Sequence, residues 1–125
     1  MKHILLIMYR KVLAEALMQN PAASARFSFS KEYNYRRALM TAEILQPDAA
    51  VLEIPESGEW DAEHCIRLCG TLTRHLPDMK LMILCPEDNP EACRRTEQAL
   101  KDGLIRDYVF YDTSTQYLIS KLEAL

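Results

Sequence analysis

Short apolar runs alternate with stretches of helical period along the whole chain. "HILLIM" (3–8) is a continuous apolar run and predicts a buried central strand. Val12, Leu13, Ala16 and Leu17 then recur at helical spacing until Asn20-Pro21 stops them. "ARFSFS" alternates polar and apolar residues, as an edge strand does. Tyr35, Ala38, Leu39, Ala42 and Leu45 line a second helix, ended by Gln46-Pro47-Asp48. "AAVLEI" is a third strand, and Ala62, Cys65, Ile66, Cys69, Leu72 and Leu76 mark a third helix that stops near Pro77. "KLMILC" is a fourth strand. Pro90, Ala92, Thr96, Ala99 and Leu100 belong to a fourth helix, which Gly103 can cap. "DYVFY" is a fifth strand, and Leu118, Ile119, Leu122 and Leu125 line a last helix. The strands are expected near residues 3–8, 26–29, 49–54, 80–85 and 107–111.

Five strand–helix units in a row, with strongly apolar strands, call for a parallel sheet covered on both faces. Right-handed crossovers leave few topologies. The natural one is an α/β doubly wound five-stranded sheet in the order 2-1-3-4-5. Ligands of such folds meet the carboxyl ends of the strands beside the switch point. Here those ends are Met8-Tyr9, Glu53, Cys85 and Tyr111.

The bulk numbers narrow the function. The 125 residues are the size of one domain, taken as residues 1–125. Hydrophobic residues make up 49% and charged residues 26%, as in an ordinary globule. A net charge of −3 offers no basic patch of nucleic-acid-binding strength. "HILLIM" is too short to span a membrane and lacks a cleavage site, so the cytoplasm is the expected compartment. The cysteines at 65, 69, 85 and 93 show no C-x-x-C spacing, and free thiols in a reducing compartment are expected.

The layout resembles the receiver domain of two-component response regulators, a flavodoxin-like fold, over essentially the whole chain. "ILLIMYRKVLAEAL" has the outline of a receiver's first strand and helix, "QPDAAVLEIP" of its third strand, "KLMILCPED" of its fourth and "DYVFYD" of its fifth. The chemical motifs are largely absent. Glu53 stands at the position of the phosphoacceptor Asp, and Met8 and Tyr9 at that of the acidic pair that holds Mg²⁺. Cys85 stands at the Thr or Ser position, and Tyr111, followed by Asp112, at the Lys position. Tyr108 alone fits, as the switch aromatic. The loop "IPESGEW" is a few residues longer than usual, with its Pro early.

Phosphoryl transfer rests on positioning and on neutralising charge at the transferred group. Mg²⁺ wants several carboxylate or carbonyl oxygens, and Met8 and Tyr9 offer no anionic side chain. A Glu carries the attacking oxygen more than ~1 Å further out, a misplacement that costs roughly a hundredfold. Ordinary phosphoacceptance is therefore expected to be lost, with no metal and no cofactor. Glu53 has two readings: a structural carboxylate, or a group that imitates the phosphorylated state. A carboxylate at an apolar sheet edge costs several kcal/mol unless partnered. Arg10 is the candidate partner, with the phenols of Tyr9 and Tyr111 as further donors. The Tyr111–Asp112 bond, lacking a Pro, is expected to be trans.

Three other features invite sharper readings. Cys65 and Cys69 are four apart with His64 and His75 nearby, but both fall on the apolar stripe, which favours packing over a metal. Cys85 lies at the functional edge, yet a nearby Glu53 is expected to raise its thiol pKa, which disfavours a redox sensor. Trp60, within acid-rich "PESGEWDAE", either packs on the sheet edge or belongs to a partner-binding loop.

The expected function is a degenerate receiver-like regulatory module, not an enzyme, working by protein–protein contact. By resemblance the contact face is the fourth helix, fifth strand and fifth helix. It would serve a homodimer, or docking onto a kinase or transcription regulator, with no nucleic acid or membrane bound by this domain. The rival is a small cytoplasmic α/β enzyme or nucleotide-binding protein using the same strand ends. It is disfavoured because three glycines in all leave no G-x-G-x-x-G or P-loop.

Overall fold

The apolar runs form the centre of the molecule. A computed structural model describes residues 1–125 and contains β1 (Lys2–Ile7), β2 (Phe27–Glu32), β3 (Ala49–Glu53), β4 (Lys80–Cys85) and β5 (Asp107–Phe110). All neighbours pair in parallel, and the order is β2-β1-β3-β4-β5, as the pattern predicts. The helices are α1 (Lys11–Gln19), α2 (Pro21–Ser24), α3 (Ala38–Leu45), α4 (Ala62–His75), α5 (Pro90–Lys101) and α6 (Thr115–Ala124). A single 3₁₀ turn, Tyr35–Arg37, leads into α3.

The two-residue period of the strands divides the core into two layers. Leu5, Ile7, Ala50, Leu52, Leu81, Ile83 and Cys85 face α3, α4 and α5. Ile4, Leu6, Met8, Ala49, Val51, Met82, Leu84 and Val109 face α1, α2 and α6. This parity fixes where each strand-end residue points. Glu53 continues the row of Ala49 and Val51 toward α1, while Cys85 continues that of Leu81 and Ile83 toward α5.

Several boundaries differ from the sequence expectation, each for a local reason. Asn20-Pro21 ends α1 but also starts α2, because the Asn20 side chain accepts from the Ala22 and Ala23 N–H groups and Pro21 occupies the first helical turn. Strand β2 runs three residues past Phe29. Its parallel ladder with β1 continues to Ile7↔Glu32 although Lys31 and Glu32 are polar, since this is an edge strand with one side in solvent. Helix α1 buries Ala14 and Leu17 and leaves Val12 83% exposed, so its inward face is rotated from the expected one. The anchorage of its first turn, described below, sets that phase. The Tyr111–Asp112 bond is trans, as are all others.

Helix α3 ends on Gln46, which takes a left-handed conformation at φ 48° and ψ 56°. Side chains meet a steric cost there that glycine avoids. Gln46→Gly is expected to raise unfolding stability by roughly 0.5–1 kcal/mol. The measurement is a urea titration whose midpoint rises at unchanged slope.

Candidate functional site

The carboxyl end of β3 carries a fully buried carboxylate. Glu53 has no solvent exposure, and only Thr96 shares that state among polar side chains. Burying a charge is costly unless it is paired and hydrogen-bonded. Three donors converge on this one. The backbone N–H groups of Tyr9 and Arg10 donate to Glu53 Oε1 at 2.8 and 3.0 Å. The Arg10 guanidinium donates through Nε to Oε2 in a direct ion pair.

The local sequence explains the convergence. The chain leaves β1 at Ile7, turns through Met8 and Tyr9, and enters α1 at Lys11. Arg10 is the N-cap of α1, and its own side chain caps nothing. The donors that precede the helix are instead satisfied by a carboxylate from the neighbouring strand. A negative charge at a helix N-terminus is also favoured by the helix dipole. The guanidinium is held from its other side by Tyr111, whose ring centroid lies 3.9 Å from Arg10 Cζ. Arg10, Glu53 and Tyr111 thus lock the ends of β1, β3 and β5 together.

The main chain around Glu53 is pinned as well. Tyr35 donates its buried hydroxyl to the Glu53 carbonyl, and Tyr111 donates its hydroxyl to the Ile54 carbonyl. Burial pushes both phenols well above the ordinary tyrosine range, with the Glu53 charge adding to the effect, so each stays a donor. Trp60 is half-buried and lies on Tyr35 at a centroid distance of 5.4 Å, packed against the core on the α3–α5 side of the sheet. Arg36 and Glu59 pair outside it, closing the β3–α4 loop over Tyr35.

The strand-end residues therefore play different parts from one another. Met8 is buried in the α1-side core, and the Tyr9 side chain is 62% exposed. Tyr9 reaches Glu53 through its backbone N–H, not its phenol, because its side chain points away from the sheet. The Tyr111 phenol passes Glu53 and bonds the next carbonyl instead. Cys85 is not brought to Glu53. The strand parity turns it toward α5, where its sulfur meets the Pro86 carbonyl, Cys93 and Thr96. Its thiol pKa is pushed up to about 12, but by burial first, with Cys93 and Glu87 adding and the Thr96 hydroxyl opposing. Tyr108 sits half-buried on β5, edge-to-face with Phe110, its hydroxyl 3.4 Å from Glu97. Burial and Glu97 raise its pKa.

Two residues of this region carried no sequence signal of their own. Tyr35 read only as a stripe position, since nothing local announces that its hydroxyl meets a carbonyl eighteen residues away. Cys93 lies eight residues after Cys85, across a loop, which matches no ligand or redox spacing. Cys65 and Cys69 are buried in α4 as the stripe predicts. No three His, Cys, Asp or Glu side chains converge to hold a metal. No helix is long and apolar enough to cross a membrane.

No family model matches this chain, and no curated protein matches it. Solved structures do. A response regulator receiver domain protein (CheY-like) from Methanospirillum hungatei JF-1 superposes with TM-score 0.80 at 13% identity, over 99% of this chain and 92% of that one. The adenylate cyclase from Rhodopirellula baltica gives 0.83 at 14%, over 98% and 85%. A protein of a novel family of redox sensors in the streptococci, evolved from two-component response regulators, gives 0.79 at 19%, over 99% and 50%. The chain has the receiver-domain fold.

Removing the central carboxylate strands its donors. Glu53→Ala is expected to destabilise the protein by about 1–3 kcal/mol, through the Arg10 side chain and two N–H groups left without an acceptor. Chemical denaturation compared with wild type measures it. An unchanged midpoint would mean that Glu53 does not hold the three strand ends together.

Proposed function

We propose that this chain is a receiver-like regulatory module, folding as one unit over residues 1–125, that signals by protein–protein contact without accepting a phosphoryl group. The observation that carries the reading is the ligation of Glu53. In this view Glu53 occupies the phosphoacceptor position, with Met8 and Tyr9 at the acidic-pair positions, Cys85 at that of the Thr or Ser, and Tyr111 at that of the Lys. Both oxygens of Glu53 are already engaged by Arg10 and two N–H groups, so neither is free to attack phosphorus. Arg10 fills with a fixed cation the role that Mg²⁺ plays by resemblance. The bond is structural, and Glu53 need not imitate a phosphorylated state.

The surroundings support the same reading. Glu56, Glu87, Asp88 and Asp112 stand exposed on the loops after β3, β4 and β5. Their charge repels an anionic phosphodonor or nucleotide. Gly58, Gly70 and Gly103 lie in the β3–α4 loop, within α4 and after α5, so they build no phosphate cradle after β1. Catalysis is accordingly no part of the proposal. The contact face is α5–β5–α6, which corresponds to the fourth long helix, fifth strand and last helix. Tyr108 lies at its centre, with Phe110 36% and Tyr117 51% exposed. A second copy, a kinase or a transcription regulator would dock there, and the cytoplasm is the compartment such partners imply.

Incubation with acetyl phosphate and millimolar Mg²⁺ is expected to leave the intact mass unchanged. The same Mg²⁺ is expected to leave the melting temperature unmoved in wild type and in Glu53→Gln alike. A covalent phosphoryl adduct on Glu53 would overturn the proposal, as would a Mg²⁺-dependent stabilisation that Glu53→Gln abolishes.

A further inference from the structure

On the other face of the sheet, two thiols converge. Cys85 ends β4, and Cys93 lies in the second turn of α5, beyond the loop Pro86–Asn89. Their sulfurs are 4.0 Å apart. Both also point at one carbonyl, that of Pro86, at 3.8 Å from Cys85 Sγ and 3.7 Å from Cys93 Sγ. A disulfide needs an S–S separation of about 2.0 Å, so roughly 2 Å of closure is required. A change of staggered rotamer moves a cysteine sulfur on that scale, and Cys93, on α5, is the half-exposed one of the two. The other two cysteines have no such geometry, since Cys65 and Cys69 are buried within one helix.

The two sulfurs differ in a way that suits sequential chemistry. Cys93 is half-buried and open to solvent on one side, while Cys85 has no exposure. The Cys85 sulfur is also the only hydrogen-bond acceptor of the Thr96 hydroxyl, at 3.7 Å. Thr96 is one of the two fully buried polar residues in the chain, and it directs its hydroxyl at this sulfur. The Thr96 hydroxyl opposes the burial of Cys85 without offsetting it, so Cys85 waits as a thiol while the half-exposed Cys93 is the sulfur that meets the oxidant.

We propose that Cys85 and Cys93 form a reversible intramolecular disulfide in the folded protein, with a low-molecular-weight disulfide such as glutathione disulfide as the oxidant. The Cys93 thiol gives its proton to water, and its thiolate attacks one sulfur of glutathione disulfide. The Cys93–glutathione bond forms, the glutathione S–S bond breaks, and the departing thiolate takes a proton from water. Cys85 Sγ then attacks Cys93 Sγ, and its proton passes to the sulfur of the departing glutathione. The protein disulfide forms as the Cys93–glutathione bond breaks, and the second glutathione leaves as thiol. Two protein thiols are oxidised and one glutathione disulfide is reduced to two glutathiones. The product ties the end of β4 to the start of α5, against the helix that carries Glu97 and meets Tyr108.

The test incubates the full chain in its folded state with mixtures of reduced and oxidised glutathione, quenches in acid and alkylates the remaining thiols after unfolding. Mass spectrometry is expected to show two alkylated cysteines, Cys65 and Cys69, and a peptide cross-linked from Cys85 to Cys93. In Cys85→Ala, Cys93 is expected to stop at the glutathione adduct. In Cys93→Ala, neither cross-link nor adduct is expected at matched time, because Cys85 is covered. Reaction through unfolding would favour the shorter Cys65–Cys69 loop, so selectivity for Cys85–Cys93 reports native geometry. Four alkylated cysteines in wild type, a persistent glutathione adduct without a cross-link, or a link between any other pair would overturn the proposal.

Discussion

The protein is organised around the need to satisfy one buried carboxylate. An unpaired charge at the position of Glu53 would cost several kcal/mol, a large part of the stability of a domain this size. The solution recruits the turn after β1, the first turn of α1 and the aromatic ring after β5. Each recruited part is fixed by the others. The Arg10 N–H and guanidinium close on the two oxygens of one residue, so the entry angle of α1 follows from the position of β3. Tyr111 covers the guanidinium and reaches the Ile54 carbonyl, so the β5–α6 loop follows as well. The rotated face of α1 is a downstream effect of this anchorage, which is why the exposed Val12 breaks the simple hydrophobic pattern.

The architecture was readable because apolar strand runs and helical stripes follow from backbone periods alone. The five strands and their order needed nothing more than those runs and the handedness of crossovers. Strand parity was equally available, and it separates Glu53 from Cys85. Reading both residues as strand ends, without their parity, placed their side chains together when the sheet lies between them. The Arg10–Glu53 pair was legible because burial of a carboxylate demands a donor and few cations stand nearby. The backbone donors were not, since an N–H has no sequence signature. Cys93 was hidden for a related reason: its closeness to Cys85 depends on how the loop Pro86–Asn89 folds back.

The sheet thus divides the strand ends into two environments with opposite properties. On the α1 side, an ion pair, two N–H donors and a stacked ring leave little freedom. On the α5 side, the side-chain contacts at the end of β4 itself are sulfur to carbonyl, sulfur to sulfur and hydroxyl to sulfur, all of 3.7 Å or more, while the helix start is capped by Asn89 at 3.1 Å from the Ala92 N–H. Thiols are weak donors and weak acceptors, so these contacts tie the end of β4 to α5 less firmly than charge-assisted bonds tie the end of β3 to α1. Tyr108 and Phe110 project beside the looser of the two.

That difference bears on how such a fold can switch. Opening the Arg10–Glu53 contact leaves a fully buried carboxylate without its cation, while the Arg10 side chain, 38% exposed, regains water, so the cost falls mainly on Glu53. A ligand acting there would have to favour the opened state by at least that cost to populate it. The direct Arg10–Glu53 pair, two N–H donors and a stacked ring therefore make the α1 side the more tightly restrained of the two. A state change of modest energy meets least resistance at the weakly bonded sulfurs and the half-exposed β5 aromatics beside them.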